Sequence, residues 1–167
     1  PTAQAYEDRF ISVVNDYKSK GVAFVAISPN SPIGILPEEL GYTDLNDDYA
    51  SMQIRYEDKK YNFPYLYDGD SHQYSLAYGP VATPHVFVFD KDRKLSYSGR
   101  IDGSEKPGTA NAEDLRMAID KTLAGESIDV DKSITPAFGC STKWAWKNEY
   151  TKKTNEEWKQ KPVEVQK

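Results

Sequence analysis

The sequence predicts an α/β fold built on a mixed sheet, and three observations carry that expectation. A helical period from Thr2 to Lys20 runs directly into "VAFVAIS", a strand-length apolar run from Val22 to Ser28. A second helical pattern lies between this run and the strand beginning at His85, supplying the crossover that a parallel arrangement of those two requires. Further on, "HVFVFD" and "KLSYSGRI" are separated only by the "DKDRK" turn, the signature of an antiparallel hairpin.

Taken in order, Tyr6, Phe10, Val13, Val14 and Tyr17 fall on one face of the first helix, with Glu7, Asp8, Arg9 and Lys18 on its other faces. Gly21 ends it. The continuous apolar character of Val22 to Ser28 is that of a parallel strand covered on both sides. "PNSPIGILPEELGYTDLNDD" holds three prolines and two glycines and reads as a long loop, a length often reserved for function. Tyr49, Met52 and Tyr56 mark a helix starting at Asp47 or Asp48, and Tyr65 to Tyr67 a short strand. Ser71 is the expected cap of a short helix ending at Gly79 and Pro80. After the hairpin, Leu115, Ala118, Ile119, Thr122 and Leu123 give a last helix over 111–123, with Gly125 beyond its end.

Composition narrows the function. The chain has 167 residues, enough for one domain with a real core, and a net charge of -5 from 21 Lys and Arg against 26 Asp and Glu. That balance, without a basic cluster, argues against nucleic acid as a partner. No apolar run approaches the roughly 18 residues of a membrane-spanning helix. His72 and His85 are the only histidines and lack a second ligand at metal spacing, so no metal and no cofactor is expected. Neither "DLNDDY" nor "DGDS" has the ligand order of a calcium loop. Nothing in the chain matches a nucleophile elbow or a phosphate-binding glycine loop. Arg100 is expected to form a plain surface pair with Asp102.

Pro84 stands immediately before an apolar run that otherwise reads as a buried strand. Proline there is tolerated at an edge, a bulge or the first strand residue, or after a cis peptide bond. "YGPVATPHVFVFDKDRKLSYSGRID" resembles the second half of the thioredoxin-like redoxins, which include AhpC/TSA-type peroxiredoxins and thiol-disulfide oxidoreductases. The residues carrying the resemblance are Tyr78, Gly79, Val81, Thr83, Pro84, Asp90, Asp92, Gly99, Arg100, Ile101 and Asp102. It implies a thioredoxin-like three-layer sandwich with a mixed central sheet, formed by residues 1–130 and followed by a tail over 131–167. It also implies a cis bond at Thr83-Pro84, with the backbone of Thr83 turned toward the site.

The opening "PTAQAYEDRF" is similar to the helix that follows a Cys-Pro dipeptide in the same family. The resemblance implies a cysteine directly ahead of Pro1, and strands preceding it, beyond the sequence. A thiol at a helix start is favoured as thiolate by the dipole and the free amides of the first turn. Thr2 and Gln4 could donate hydrogen bonds there, although an ordinary exposed first turn is the expectation for both.

Cys140 is the only cysteine in the sequence. Its setting, "ITPAFGCSTKW", also resembles the end of this redoxin subgroup, where it would act as a resolving thiol. A small buried side chain in a packed tail is the competing reading. The resemblance thus implies peroxide or disulfide reduction with Cys140, Thr83, Pro84 and Thr2 at the site, serviced by a thioredoxin-type reductant. The alternative is a redox-inactive thioredoxin-like module that holds a peptide or protein partner with its proline loop. Oligomeric state stays open, and both a bacterial cytoplasm and a cell envelope fit.

Overall fold

The structure, a computed structural model, describes residues 2–35, 39, 45–147, 149, 152, 153, 156 and 157. The first helical pattern is divided into α1 (Thr2–Ala5) and α2 (Glu7–Tyr17). Between them Tyr6 donates its N–H to the Ala3 carbonyl at 3.1 Å, one residue short of the α-helical partner. The chain leaves α2 through a 3₁₀ turn over Lys18–Lys20, and Gly21 closes it at φ 84°.

Only the end of the following apolar run is a strand. β1 (Ala26–Ser28) pairs in parallel with β2 (Tyr65–Tyr67), Ala26 opposite Tyr65 and Ser28 opposite Tyr67. The crossover carries α3 (Tyr49–Asp58), and the Asp48 carboxylate caps it by accepting the Ser51 N–H at 2.7 Å. Val22 and Phe24 pack on the core whereas Val25 is 52% exposed, so the two-sided burial expected of this run is one-sided. Much of the predicted long loop, 36–38 and 40–44, lies outside the described residues.

The cap of α4 (Gln73–Tyr78) differs from the sequence expectation. The Asp68 carboxylate, rather than Ser71, accepts the N–H groups of Tyr74 at 3.1 Å and Ser75 at 2.7 Å. His72 precedes the helix in the left-handed region, φ 50°, and the Ser71 hydroxyl donates instead to the Asp68 carbonyl. A carboxylate five residues ahead of the helix thereby replaces the hydroxyl two ahead.

β3 (Val86–Phe89) and β4 (Leu95–Gly99) form the antiparallel hairpin, Val86 opposite Gly99, with a bulge between Val88 and Phe89. In the turn, Asp90 accepts the N–H groups of Asp92 and Lys94, both at 2.9 Å. Among the described residues no ladder joins the β1–β2 pair to the β3–β4 pair. A largely apolar cavity of about 890 Å³ takes its lining from both, with Phe10, Val86, Val88 and Ile119 on its walls. α5 (Glu113–Ala124) packs against the hairpin and supplies Leu115 and Ile119 to a core shared with Tyr6, Val13, Tyr17 and Ile101. Beyond α6 (Val130–Ser133), the chain returns to the hairpin, Ile134 bridging Ser98.

Asp102 is fully buried and pairs with Arg9, not with Arg100, whose guanidinium reaches Asp114 at 2.6 Å. Arg9 Nη1 lies 2.7 Å from both carboxylate oxygens, and the N–H groups of Ser104 and Ala112 each donate to Asp102 at 2.9 Å. The aspartate sits three residues past the end of β4, where the Ala112 N–H ahead of α5 also reaches it, and it faces Arg9 on α2 rather than its neighbour Arg100. Replacing Asp102 by alanine would leave the charge of Arg9, a residue only 7% exposed, with backbone carbonyls in place of its counter-ion. The expected cost is about 3–5 kcal/mol, read as a lower urea midpoint with an unchanged m-value.

Candidate thiol site at the start of the first helix

The site is assembled by a short ladder between two irregular segments. Thr83 donates its N–H to the Cys140 carbonyl at 2.9 Å, and Cys140 returns its own N–H to the Thr83 carbonyl at 3.2 Å. The Thr83 hydroxyl adds a third bond to the Cys140 carbonyl at 3.1 Å. The Thr83-Pro84 peptide bond is cis. Gly139 allows this approach, because a Cβ at that position would overlap the Thr83 carbonyl.

His85 braces the loop from the other side. Its Nδ1 accepts the Val81 N–H at 3.2 Å, which leaves Nε2 to donate to the Ser98 hydroxyl at 3.0 Å. The ring stacks on Phe87 with centroids 4.4 Å apart, and burial holds the imidazole below its ordinary pKa. A neutral, fully bonded ring of this kind is a strut for 81–84. Among the described residues no cluster of His, Cys, Asp and Glu could hold a metal ion.

Docked in this way, Cys140 points its thiol at α1, with Sγ 3.7 Å from Thr2 Oγ1. Partial burial pushes the thiol pKa up and the backbone N–H and hydroxyl of Thr2 push it down; with the positive charges nearby, Lys143 the weakest of them, the thiol lies below its ordinary value. Lys143 is itself buried and ion-paired with Glu39. Thr2, Thr83, Pro84 and Cys140 all border one end of the large cavity. Of the residues singled out in the sequence these four are brought together, while Pro1 lies outside the described residues. The sequence presents Lys143 only as a member of the "GCSTKW" segment and His85 only as a histidine without a metal partner, and neither role is legible from it.

The arrangement defines a thioredoxin-like α/β protein that carries a thiol against a helix start. The AhpC/TSA family model matches residues 1–98, and the chain belongs to that family. Family membership brings thiol-dependent redox activity at the level of the family, with thiol reductants as the general class of partner. The fold is similar to that of a hypothetical protein from Sinorhizobium meliloti 1021, with a TM-score of 0.71, 31% identity, and coverage of 86% of this chain and 73% of that one. An uncharacterized conserved protein from Geobacillus kaustophilus gives a TM-score of 0.69 at 32% identity, covering 85% of this chain and 70% of that one. No curated protein matches the chain. No described helix is long and apolar enough to cross a membrane.

The Thr2 contact makes a testable contribution to the thiolate. Thr2→Val removes the hydroxyl and retains the backbone N–H, so the midpoint of Cys140 alkylation by iodoacetamide should move to higher pH. The check is the pH dependence of the alkylation rate in both proteins. At neutral pH the variant should react more slowly, because a smaller fraction of its thiol is ionised.

Proposed function

We propose that the protein reduces peroxide or disulfide substrates through a cysteine directly ahead of Pro1, with Cys140 as its resolving thiol. The observation that carries this reading is the position of Cys140, whose Sγ is held 3.7 Å from the Thr2 hydroxyl on the first turn of α1. A disulfide needs Cα atoms within about 7 Å, and a thiol already facing the first turn of α1 is the partner that a cysteine ahead of Pro1 would require.

The chemistry is a two-thiol cycle. The first thiolate attacks the peroxide O–O bond, becomes a sulfenic acid and releases an alkoxide or hydroxide that takes up a proton. Cys140, as thiolate, then attacks the sulfenic sulfur. Hydroxide leaves as water after protonation, and a disulfide forms. A dithiol reductant opens it by exchange, returning both thiols and leaving as its own disulfide. With a disulfide substrate the first attack gives a mixed disulfide, which Cys140 resolves by the same displacement. Thr2 and Lys143 lower the pKa of the resolving thiol and so raise its thiolate fraction near neutral pH.

The test uses the full-length protein and Cys140→Ser. The variant should still consume about one equivalent of peroxide or disulfide, then stop turning over with a thioredoxin-type reductant. Peptide mapping of the oxidised wild type should show Cys140 joined to the cysteine before Pro1. Undiminished multiple turnover in Cys140→Ser would make Cys140 a structural residue. No thiol reaction in either protein would favour a module that only holds a partner.

A further inference from the structure

His72 is completely buried, with both ring nitrogens engaged by segments far apart in sequence. Nε2 accepts the Ala145 N–H at 2.8 Å, so the ring proton lies on Nδ1, which donates to the Pro29 carbonyl at 3.1 Å. Trp144 and Trp146 stack on each other at 4.7 Å and meet the imidazole edge-on at 5.0 and 5.3 Å. The same stretch of tail is tied to the loop after β1: Ser31 donates its N–H to the Lys143 carbonyl at 2.8 Å, and Lys143 donates its N–H to Asn30 Oδ1 at 3.1 Å. Gly34 completes the seat, since a Cβ there would overlap the Trp144 carbonyl. Cys140 lies five residues before Ala145, on the same strap.

We infer that His72 is a proton-operated latch on the tail: the neutral imidazole holds residues 142–147 in place, and its protonation releases them. The reason is stereochemical. The Ala145 N–H points at the only lone pair of the ring, and a proton added to Nε2 would set two donors head to head in a site without water access. The charged groups around the ring do not compensate for that clash. From its own turn, the Asp68 carboxylate favours the imidazolium electrostatically, yet its oxygens already accept from Tyr74, Ser75 and the Ser75 hydroxyl. Asp70 is occupied by the Ser31 hydroxyl. From the loop after β1, residues 29–35 bring no titratable group; Asp47 binds Asn30. From the described tail residues 139–147 come two positive charges, Lys143 against Glu39 and Lys147 on the Thr142 carbonyl.

The released state binds one more proton than the latched state. The released-to-latched ratio therefore grows as pH falls, by up to ~10-fold per pH unit. The latch concerns the position of the tail and holds whether or not Cys140 takes part in thiol chemistry.

The experiment reads the latch in the reduced protein, so the redox reading can fail separately. Hydrogen exchange at the Ala145 amide is measured from about pH 7.5 to 5, corrected for intrinsic rates, beside the fluorescence of Trp144 and Trp146. In the wild type the Ala145 protection factor should fall steeply over this range, approaching 10-fold per unit. His72→Gln keeps an acceptor for Ala145 that does not titrate, and its protection should be flat. His72→Phe removes the acceptor and should be poorly protected at every pH. The same pH dependence in His72→Gln as in the wild type, or full protection in His72→Phe at neutral pH, would overturn the proposal. Should the variants fail to fold, an NMR titration of the wild-type imidazole decides: a charge change in His72 that coincides with the tryptophan signal supports the latch, and one that does not refutes it.

Discussion

A carboxylate with no exposure to water must be matched in full by donors, and Asp102 meets that requirement by drawing three parts of the chain to one point. Arg9 reaches it from α2, Ser104 from the turn after β4, and Ala112 from the residue before α5. The Arg9 guanidinium also covers the Tyr6 ring at 4.3 Å, so the ion pair reaches the bend between α1 and α2. Apolar burial could be satisfied by many small shifts of these helices on the hairpin. The bonds to Asp102 allow few, because each donor approaches from a fixed direction.

That constraint decides where α1 begins, and the tail then decides what faces it. Cys140 could not be held by apolar contacts alone, since its own side chain is only half-buried and Trp146 is 55% exposed. It is held by backbone: the two-way ladder with Thr83, the Ser31 bond to Lys143 and the Ala145 bond to His72. Hydrogen bonds of this kind fix direction as well as distance, which a lone thiol on an irregular segment needs if it is to face Thr2.

The sequence announced the helices, the hairpin and the proline loop because each is written in local terms: periodicity, a short turn between apolar runs, Gly or Pro at the ends. It also grouped Thr2, Thr83, Pro84 and Cys140, through a family resemblance rather than through any local pattern. What it concealed were interactions between distant positions. Nothing near Asp102 says that its partner is Arg9 instead of Arg100, and nothing near Ser71 says that Asp68 will cap α4 across the left-handed turn at His72. The run from Val22 to Ser28 was misjudged for a related reason. Continuous apolar sequence says that a segment can be buried on both sides, while the number of residues that enter a ladder depends on the neighbour the fold provides.

A resolving thiol is asked for two things that oppose each other. It must stand close to its partner thiol for the disulfide to form, yet the disulfide must afterwards become accessible to a reductant. A tail buried by a large apolar surface would meet the first demand and defeat the second, because releasing it would cost much of the stability of the domain. Here the anchor is a row of backbone and imidazole hydrogen bonds along one strap, each worth on the order of 1 kcal/mol net. Such a strap opens as a unit at a free energy well below that of global unfolding. The core beneath it, from Tyr6 through Leu115 and Ile119, is built from α2, α5 and the exit of β4 and, among the described residues, takes only Phe138 from the tail at its margin. Release of 139–147 therefore leaves the core and the Asp102 junction in place. On the proposed reading this separation lets one thiol be firmly positioned and periodically exposed.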